Sequence, residues 1–334
     1  MKPPLLFKHM KILIVSGFLG AGKTTFIKHL VRRSGIRPVI MENEYGQNDL
    51  DAEELEKSLP EKKDIKILEF MEGCVCCTMK DSFVNSVLTV YCGLDPEYLI
   101  VEPTGVGRLS SILKNLKPLL NDRISLLQPV VVLSPRTYAS NMAEWTQLYS
   151  DQIANAGTVV FSKGEQEDPE FLEDTASKIR SINPHAEIVS EHYSLRSDEW
   201  WRSLADLPAQ IPVETQEYPE GESFSQLTLR KVFVHQPSEL VVFLEDCLRG
   251  EFGNIVRAKG VIPAGGEMLR FDLADRQYAV TGSQDRKAQA VFIGTDLDAQ
   301  ALCRRLGTSP EAEGISLTDR TRELEKKALR RFIH

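Results

Sequence analysis

Residues 17–25 read Gly-Phe-Leu-Gly-Ala-Gly-Lys-Thr-Thr and fit the pattern G-x-x-x-x-G-K-[ST] in full. Glycines at Gly17, Gly20 and Gly22 let backbone N–H groups turn inward around phosphate oxygens. Lys23 supplies a point charge for β- and γ-phosphates, and the Thr24 hydroxyl is a ligand for Mg²⁺. The candidate nucleotide contacts are therefore Gly17, Gly20, Ala21, Gly22, Lys23, Thr24 and Thr25. A second piece, Glu102-Pro103-Thr104-Gly105, follows the apolar run YLIV. Glu102 can hold Mg²⁺ directly or through water, and the Gly105 N–H can meet a γ-phosphate. Lys23, Thr24, Glu102 and Gly105 are the candidate catalytic set.

Two further clusters bear on ligand choice. The run TVVF is followed by Ser162-Lys163-Gly164-Glu165, where Asn-Lys-x-Asp would select guanine. Lys163 can lie along the base, Glu165 can accept from the ring N–H groups, and Ser162 is a weaker substitute for Asn. Guanine is the expected base. The other cluster is Gly73-Cys74-Val75-Cys76-Cys77, between the run IKILEF and an expected helix at 81–90. Three thiols in so short a run cannot all pair, and a bridge between Cys76 and Cys77 is strained. A helix N-terminus favours thiolates, which suit Zn²⁺ and softer ions. Three sulfurs leave one position for a carboxylate, a His or water, and Glu42 or Glu44 of Glu42-Asn43-Glu44-Tyr45-Gly46 can fill it. Cys92, Cys247 and Cys303 stand apart and are expected in the core.

These groups need a scaffold that presents strand ends together. Val/Ile/Leu runs at 11–16, 37–41, 65–69, 98–102, 128–133, 158–162 and, more weakly, 186–190 alternate with amphipathic stretches. That alternation predicts an α/β domain with a doubly wound, mostly parallel sheet of the P-loop type over residues 1–210. A stretch rich in proline and acidic residues predicts a linker at 211–225. Beyond it, strands at 228–235, 255–262, 268–273, 277–281 and 288–293, with helices at 237–249 and 297–306, predict a smaller α+β domain over 226–334. A charged helix is expected at 318–334.

The chain has 334 residues, 42% hydrophobic and 26% charged, with a formal net charge of -8. This is the balance of a globular chain, and the acidic excess argues against nucleic acid as a partner. No apolar run is long enough to span a membrane. The first residues do not resemble a secretory signal, so a reducing, cytoplasmic setting is expected, where a thiol cluster points to metal or redox chemistry.

GFLGAGKTT at 17–25, ENEYG at 42–46, GCVCC at 73–77 and EPTGVG at 102–107, in this order, resemble the CobW-like family of P-loop GTPases, relatives of the nickel-chaperone GTPases of urease and hydrogenase maturation. RAKGVI at 257–262 and VFIGTDLDAQAL at 291–302 are similar to that family's smaller second domain. The resemblance implies a slow GTPase that binds GTP and Mg²⁺ and handles zinc or cobalt. It implies delivery to a client metalloprotein or to a protein of a cobalamin-related pathway, with a homodimer as one possible arrangement. By motif match, Cys74, Cys76 and Cys77 are metal ligands with Glu42 as helper, and Asp51 matches an acidic position of the family. Ser162 and Glu165 depart from the family's Asn and Asp. Gln47 and Ser134 depart from its Glu and Asp, and a His-rich segment is absent from the sequence. Two rivals make other predictions. A small-molecule kinase would yield phosphorylated product and be blind to metal, and a thiol redox switch would form a reversible disulfide.

Overall fold

Strands whose residues are apolar on both faces need helices on both faces, and a crossover between each pair. The computed structural model describes residues 8–42, 66–69, 80–209 and 224–308. The chain divides into two compact units, Met1–Gly221 and Glu222–His334. The cysteines Cys74, Cys76 and Cys77, Glu44, Asp51, most of the expected linker and the expected helix at 318–334 lie outside the described residues.

The first unit opens with β1 (Met10–Ser16), α1 (Lys23–Ser34) and β2 (Pro38–Glu42). It continues with β3 (Lys66–Glu69), α2 (Lys80–Leu94), β4 (Tyr98–Glu102), α3 (Leu109–Leu116) and β5 (Ile124–Leu126). Then follow β6 (Val130–Leu133), α4 (Tyr138–Glu144), α5 (Thr146–Ala154), β7 (Thr158–Phe161), α6 (Pro169–Ile182), β8 (Glu187–Val189) and α7 (Asp198–Leu204). The strands pair in parallel in the order β3-β2-β4-β1-β6-β7-β8, with β5 also against β1. After β1 the chain builds the sheet toward β3, then returns to add β6 on the other side of β1. Such a reversal opens a crevice at the carboxyl end of the strand where it occurs, the usual ligand position in open α/β sheets.

α1 shows how the sequence sets the packing. Phe26, Ile27, Leu30 and Val31 recur at helical spacing and are all fully buried. Each contributes about 1.5–3 kcal/mol as an upper estimate. Phe26 meets Tyr193 edge-on at 5.1 Å and Trp201 at 5.2 Å, which ties α1 to α7 and the segment before it. Gly35 (φ 78°) ends the helix in the left-handed region.

β5 carries no sequence signal of its own, being three residues long. It occupies the flank of β1 from Met10 to Ile12, while β6 takes Val15 and Ser16. The apolar run at 128–133 enters the sheet only at Val130, because Gln128 N–H donates to Leu207 O instead. Ala209 N–H donates in turn to Leu126 O, so residues 207–209 belong to the first unit's hydrogen bonding. Pro208 sits between them, where its missing N–H costs no ladder bond.

The second unit is a five-stranded antiparallel sheet in the order β12-β11-β10-β13-β9. Its strands are β9 (Ser225–Arg230), β10 (Asn254–Ala264), β11 (Glu267–Ala274), β12 (Gln277–Gly282) and β13 (Gln289–Thr295), with α8 (Pro237–Arg249) and α9 (Ala299–Arg305). Two-residue turns with positive φ join β10 to β11 (Gly265, Gly266) and β11 to β12 (Asp275, Arg276). The core gathers Leu240, Phe243, Leu244, Phe271, Phe292 and Leu302. The strand expected at 228–235 ends at Arg230. Lys231 takes φ 58°, and the alternating Val232 and Val234 are buried without continuing the ladder. Alternation there reported burial and not strand. Cys247 and Cys303 are buried as expected, but Cys92 is exposed, because it falls off the α2 stripe of Phe83, Val87 and Val90. No described helix is long and apolar enough to cross a membrane.

Candidate functional site

The loop after β1 holds the site's frame. Gly17 takes φ 139°, and a Cβ built there would lie 2.1 Å from Val132 O on β6. Only glycine allows the chain to leave β1 so close to its neighbour. The loop then closes through Gly20 (φ 75°) and Gly22 (φ 89°), the latter capping α1 without any side-chain hydrogen bond. α1 has no acidic residue in its first turn and begins with a lysine. A cation against the positive end of a helix is unfavourable alone, and uncapped N–H groups there call for an anion. The sequence breaks a local stability rule at the place where a phosphate would repair it.

Lys23 is buried, and its ammonium donates to Gly17 O at 3.1 Å and Phe18 O at 3.2 Å. The charge is held over the loop in advance of any ligand. Thr24 Oγ1 donates to Glu102 Oε1 at 3.1 Å and lies 3.3 Å from Oε2. Glu102 is itself buried at the end of β4. A hydroxyl and a carboxylate so placed are the hard oxygen donors that Mg²⁺ takes, so these residues fit that ion. Thr25, next in the chain, is exposed.

Gly105 presses on the phosphate loop. A Cβ there would lie 2.4 Å from Leu19 N and 2.7 Å from Phe18 C. The backbone of the segment after β4 therefore packs directly on the backbone of residues 18–19, with no room for a side chain. Phe18 is held in turn by Trp145 (ring centroids 6.4 Å apart) and Tyr149 (6.0 Å, edge-on) from the α4–α5 region.

The segment after β7 joins the same frame. Ser162 is buried, and its hydroxyl donates to Ala21 O at 2.6 Å, tying this segment to the phosphate loop. Lys163 takes φ 56° and is exposed. Glu165 pairs with His192 (Oε1 to Nε2, 3.0 Å), and His192 stacks on Tyr193 at 4.4 Å. Burial, with the Glu165 charge, pushes the Tyr193 phenol up to about 12. Burial, then the neighbouring His192, Arg32 and Arg33, hold His29 below the usual histidine value.

Glu42 is buried at the end of β2, in register with Glu102 on β4 and with Glu69 on β3. The expected metal helper and the expected Mg²⁺ ligand thus occupy one row across adjacent strands. Among the described residues no group of three or more His, Cys, Asp and Glu is placed to hold a metal ion. The candidate ligands Cys74, Cys76 and Cys77 lie outside those residues, in the segment that follows β3.

Sequence reasoning did not single out Gln152. It is buried on α5 and donates from Nε2 to Gly105 O at 3.2 Å and Gly107 O at 3.1 Å. Its neighbour Asp151 accepts from the Ser110 N–H at 3.1 Å and from the Ser110 hydroxyl, at the head of α3. Burial raises the Asp151 carboxyl above the usual range. A polar pair amid the apolar stripe Leu148, Tyr149 and Ile153 was the available signal, since buried polar groups need partners.

Two family models match this chain. Residues 11–190 match the family described as CobW/HypB/UreG, nucleotide-binding domain. Residues 224–309 match the cobalamin synthesis protein cobW C-terminal domain. The chain is 29% identical over 203 residues to the zinc chaperone YeiR of Escherichia coli, a match spanning 59% of this chain and 60% of that protein. It is 25% identical over 348 residues to the zinc chaperone CobW of Pseudomonas aeruginosa, spanning 90% of this chain and 91% of that protein. A crystal structure of Zn(II)-bound YjiA GTPase from E. coli is 17% identical, with a TM-score of 0.43, covering 89% of this chain and 98% of that one.

Proposed function

The chain belongs to the CobW/HypB/UreG family of nucleotide-binding proteins, and from that premise we propose that it is a GTP-binding, slowly hydrolysing metallochaperone. Its cargo is a transition metal, zinc before cobalt, taken up through Cys74, Cys76 and Cys77 with Glu42 as the fourth ligand. The observation that carries the nucleotide part is the uncapped N-terminus of α1. There Lys23 is held over the loop by Gly17 O and Phe18 O, and Thr24 pairs with Glu102. Thr24 and Glu102 would hold Mg²⁺, which neutralises charge on phosphate oxygens when bound. Gly105 N–H and Lys23 meet the γ-phosphate. Ser162, Lys163 and Glu165 form the base side of the site, and guanine is the base. The sequence marks no residue in the role of a base for the attacking water, so intrinsic turnover is slow.

Support for the metal part comes from register. β2 and β3 pair in parallel with Glu42 beside Glu69, so the segments that leave them start from one edge of the sheet. The thiols begin five residues beyond Glu69. Zinc is preferred because relatives that match over most of this chain are named zinc chaperones. The nucleotide unit is assigned residues 1–210, joined through 211–225 to a unit of 226–334 that recognises the client metalloprotein or a protein of a cobalamin-related pathway. Loss of the γ-phosphate contacts relaxes the segment after β4, and the ion site changes affinity with it.

The test is GTP hydrolysis with and without Zn²⁺ or Co²⁺, in the natural chain and in Cys74/Cys76/Cys77→Ser, with metal content measured on both. Metal should change the rate of the natural chain alone. Equal rates and equal metal content in the two proteins would remove the metallochaperone reading.

A further inference from the structure

We propose that Gln152 is a positioning residue for the segment at 102–107, and that it sets how strongly the site prefers a triphosphate to a diphosphate. The inference rests on the reading of this site as one for GTP. α5 reaches the site at three successive points. Tyr149 lies edge-on to Phe18 of the phosphate loop. Asp151 accepts from Ser110 at the head of α3, just beyond the segment. Gln152 donates both of its amide N–H groups, to Gly105 O and to Gly107 O. One helix therefore braces the phosphate loop and the γ-phosphate segment against each other.

The amide cannot serve equally well turned over. Its Oε1 is buried with no hydrogen-bond partner, so a buried acceptor is left unsatisfied in order to keep two donors on the carbonyls. A flipped amide would set oxygen against oxygen. The Thr104 hydroxyl is likewise buried without a partner. The segment's own hydrogen bond, Gly107 N–H to Thr104 O at 2.9 Å, closes the turn. Gln152 then fixes the far side of Gly105 by its carbonyl, and Gly105 N–H is left to aim at the ligand. Without the amide, two buried carbonyls lose their donor, and the segment must move to find water. With Gly105 read as the γ-phosphate contact, the triphosphate senses that movement and a diphosphate, lacking that group, senses it far less.

Gln152→Glu keeps the shape and removes the donors, and Gln152→Met removes both polar ends at similar length. Affinities for GDP and for a non-hydrolysable GTP analogue are measured by calorimetry on the full chain, with melting in GDP as the check on folding. The analogue should weaken roughly tenfold, the worth of one to two neutral hydrogen bonds, while GDP stays within about twofold. Hydrolysis should fall in kcat more than KM rises. Hydrogen exchange on the natural chain adds a reading independent of any variant: the analogue should slow exchange at residues 104–108 and GDP should not. Equal weakening of both nucleotides, unchanged affinities in both variants, or equal exchange protection by both ligands overturns the role of Gln152. A natural chain that binds neither nucleotide overturns this inference together with the GTP reading. One that binds both, with variants unchanged, overturns the inference alone.

Discussion

Replacing Gly105 by alanine adds one methyl group at a place where backbone meets backbone. The new Cβ would stand 2.4 Å from Leu19 N, 2.7 Å from Leu19 Cα and 2.7 Å from Phe18 C. Carbon packs comfortably at about 3.5–4 Å, so the two segments must part by roughly 1 Å. No flexible side chain can yield, because every near atom is backbone. The phosphate loop is pinned at Gly17 by the approach to Val132, so the segment after β4 is the part that moves. A displacement of about 1 Å at a reacting group costs on the order of a hundredfold in rate. The expected result is a kcat for GTP hydrolysis lower by about a hundredfold, with GDP affinity within about threefold. Gly35→Ala is the matched control. Gly35 also has positive φ (78°), but a Cβ there meets nothing within 4 Å. It should cost about 1–2 kcal/mol of stability through the left-handed backbone and leave kcat unchanged. A Gly105→Ala protein that turns over GTP at the natural rate would refute the claim that the packing of Gly105 on residues 18–19 sets the position of the γ-phosphate contact.

Lys23→Ala removes the ammonium held by Gly17 O and Phe18 O, and nucleotide affinity by calorimetry should fall about a hundredfold, the scale of charge-assisted hydrogen bonds. Glu102→Gln keeps an acceptor for the Thr24 hydroxyl but removes the charge, so the Mg²⁺ concentration for half-maximal hydrolysis should rise about tenfold while GDP binding without Mg²⁺ holds. His29 supplies a pH signature. Its value is lowered below 6.5, first by burial and then by His192, Arg32 and Arg33. The unfolded chain binds this proton more readily, so the stability tied to His29 is complete above pH 6.5 and is lost as pH falls through the lowered value. In urea melts, His29→Gln should show a shallower fall in stability below pH 6.5 than the natural chain.

The phosphate loop was legible because its chemistry is local: glycines, a lysine and a threonine at fixed spacing do their work within nine residues. The parallel sheet was legible because β1, β4 and β6 are apolar on both faces, a pattern that needs no knowledge of partners. What stayed hidden depends on distant contacts. Gln152 matters only because Gly105 and Gly107 lie under it, 47 and 45 residues earlier in the chain. β5 exists because β1 has a free flank at Met10–Ile12, which three residues can fill without a period of their own. Val232 and Val234 looked like strand because burial and alternation coincide, until Lys231 in a left-handed conformation ended the ladder. The ligand set for the metal comes from the thiol chemistry of Cys74, Cys76 and Cys77 and from the motif resemblance at 73–77, residues that lie outside the described ones.

The register of Glu42 beside Glu102 puts the proposed ion helper one strand, about 4.8 Å, from the proposed Mg²⁺ ligand. If the two sites share that element, linkage requires each ligand to change the other's affinity by one factor. Zinc titrations of the GDP-bound and GTP-analogue-bound chain, paired with nucleotide titrations of the zinc-loaded and zinc-free chain, measure that factor from both directions. The shift should be about fivefold or more, equal in the two directions, and abolished in Cys74/Cys76/Cys77→Ser. Zinc affinities that are the same in both nucleotide states would contradict it.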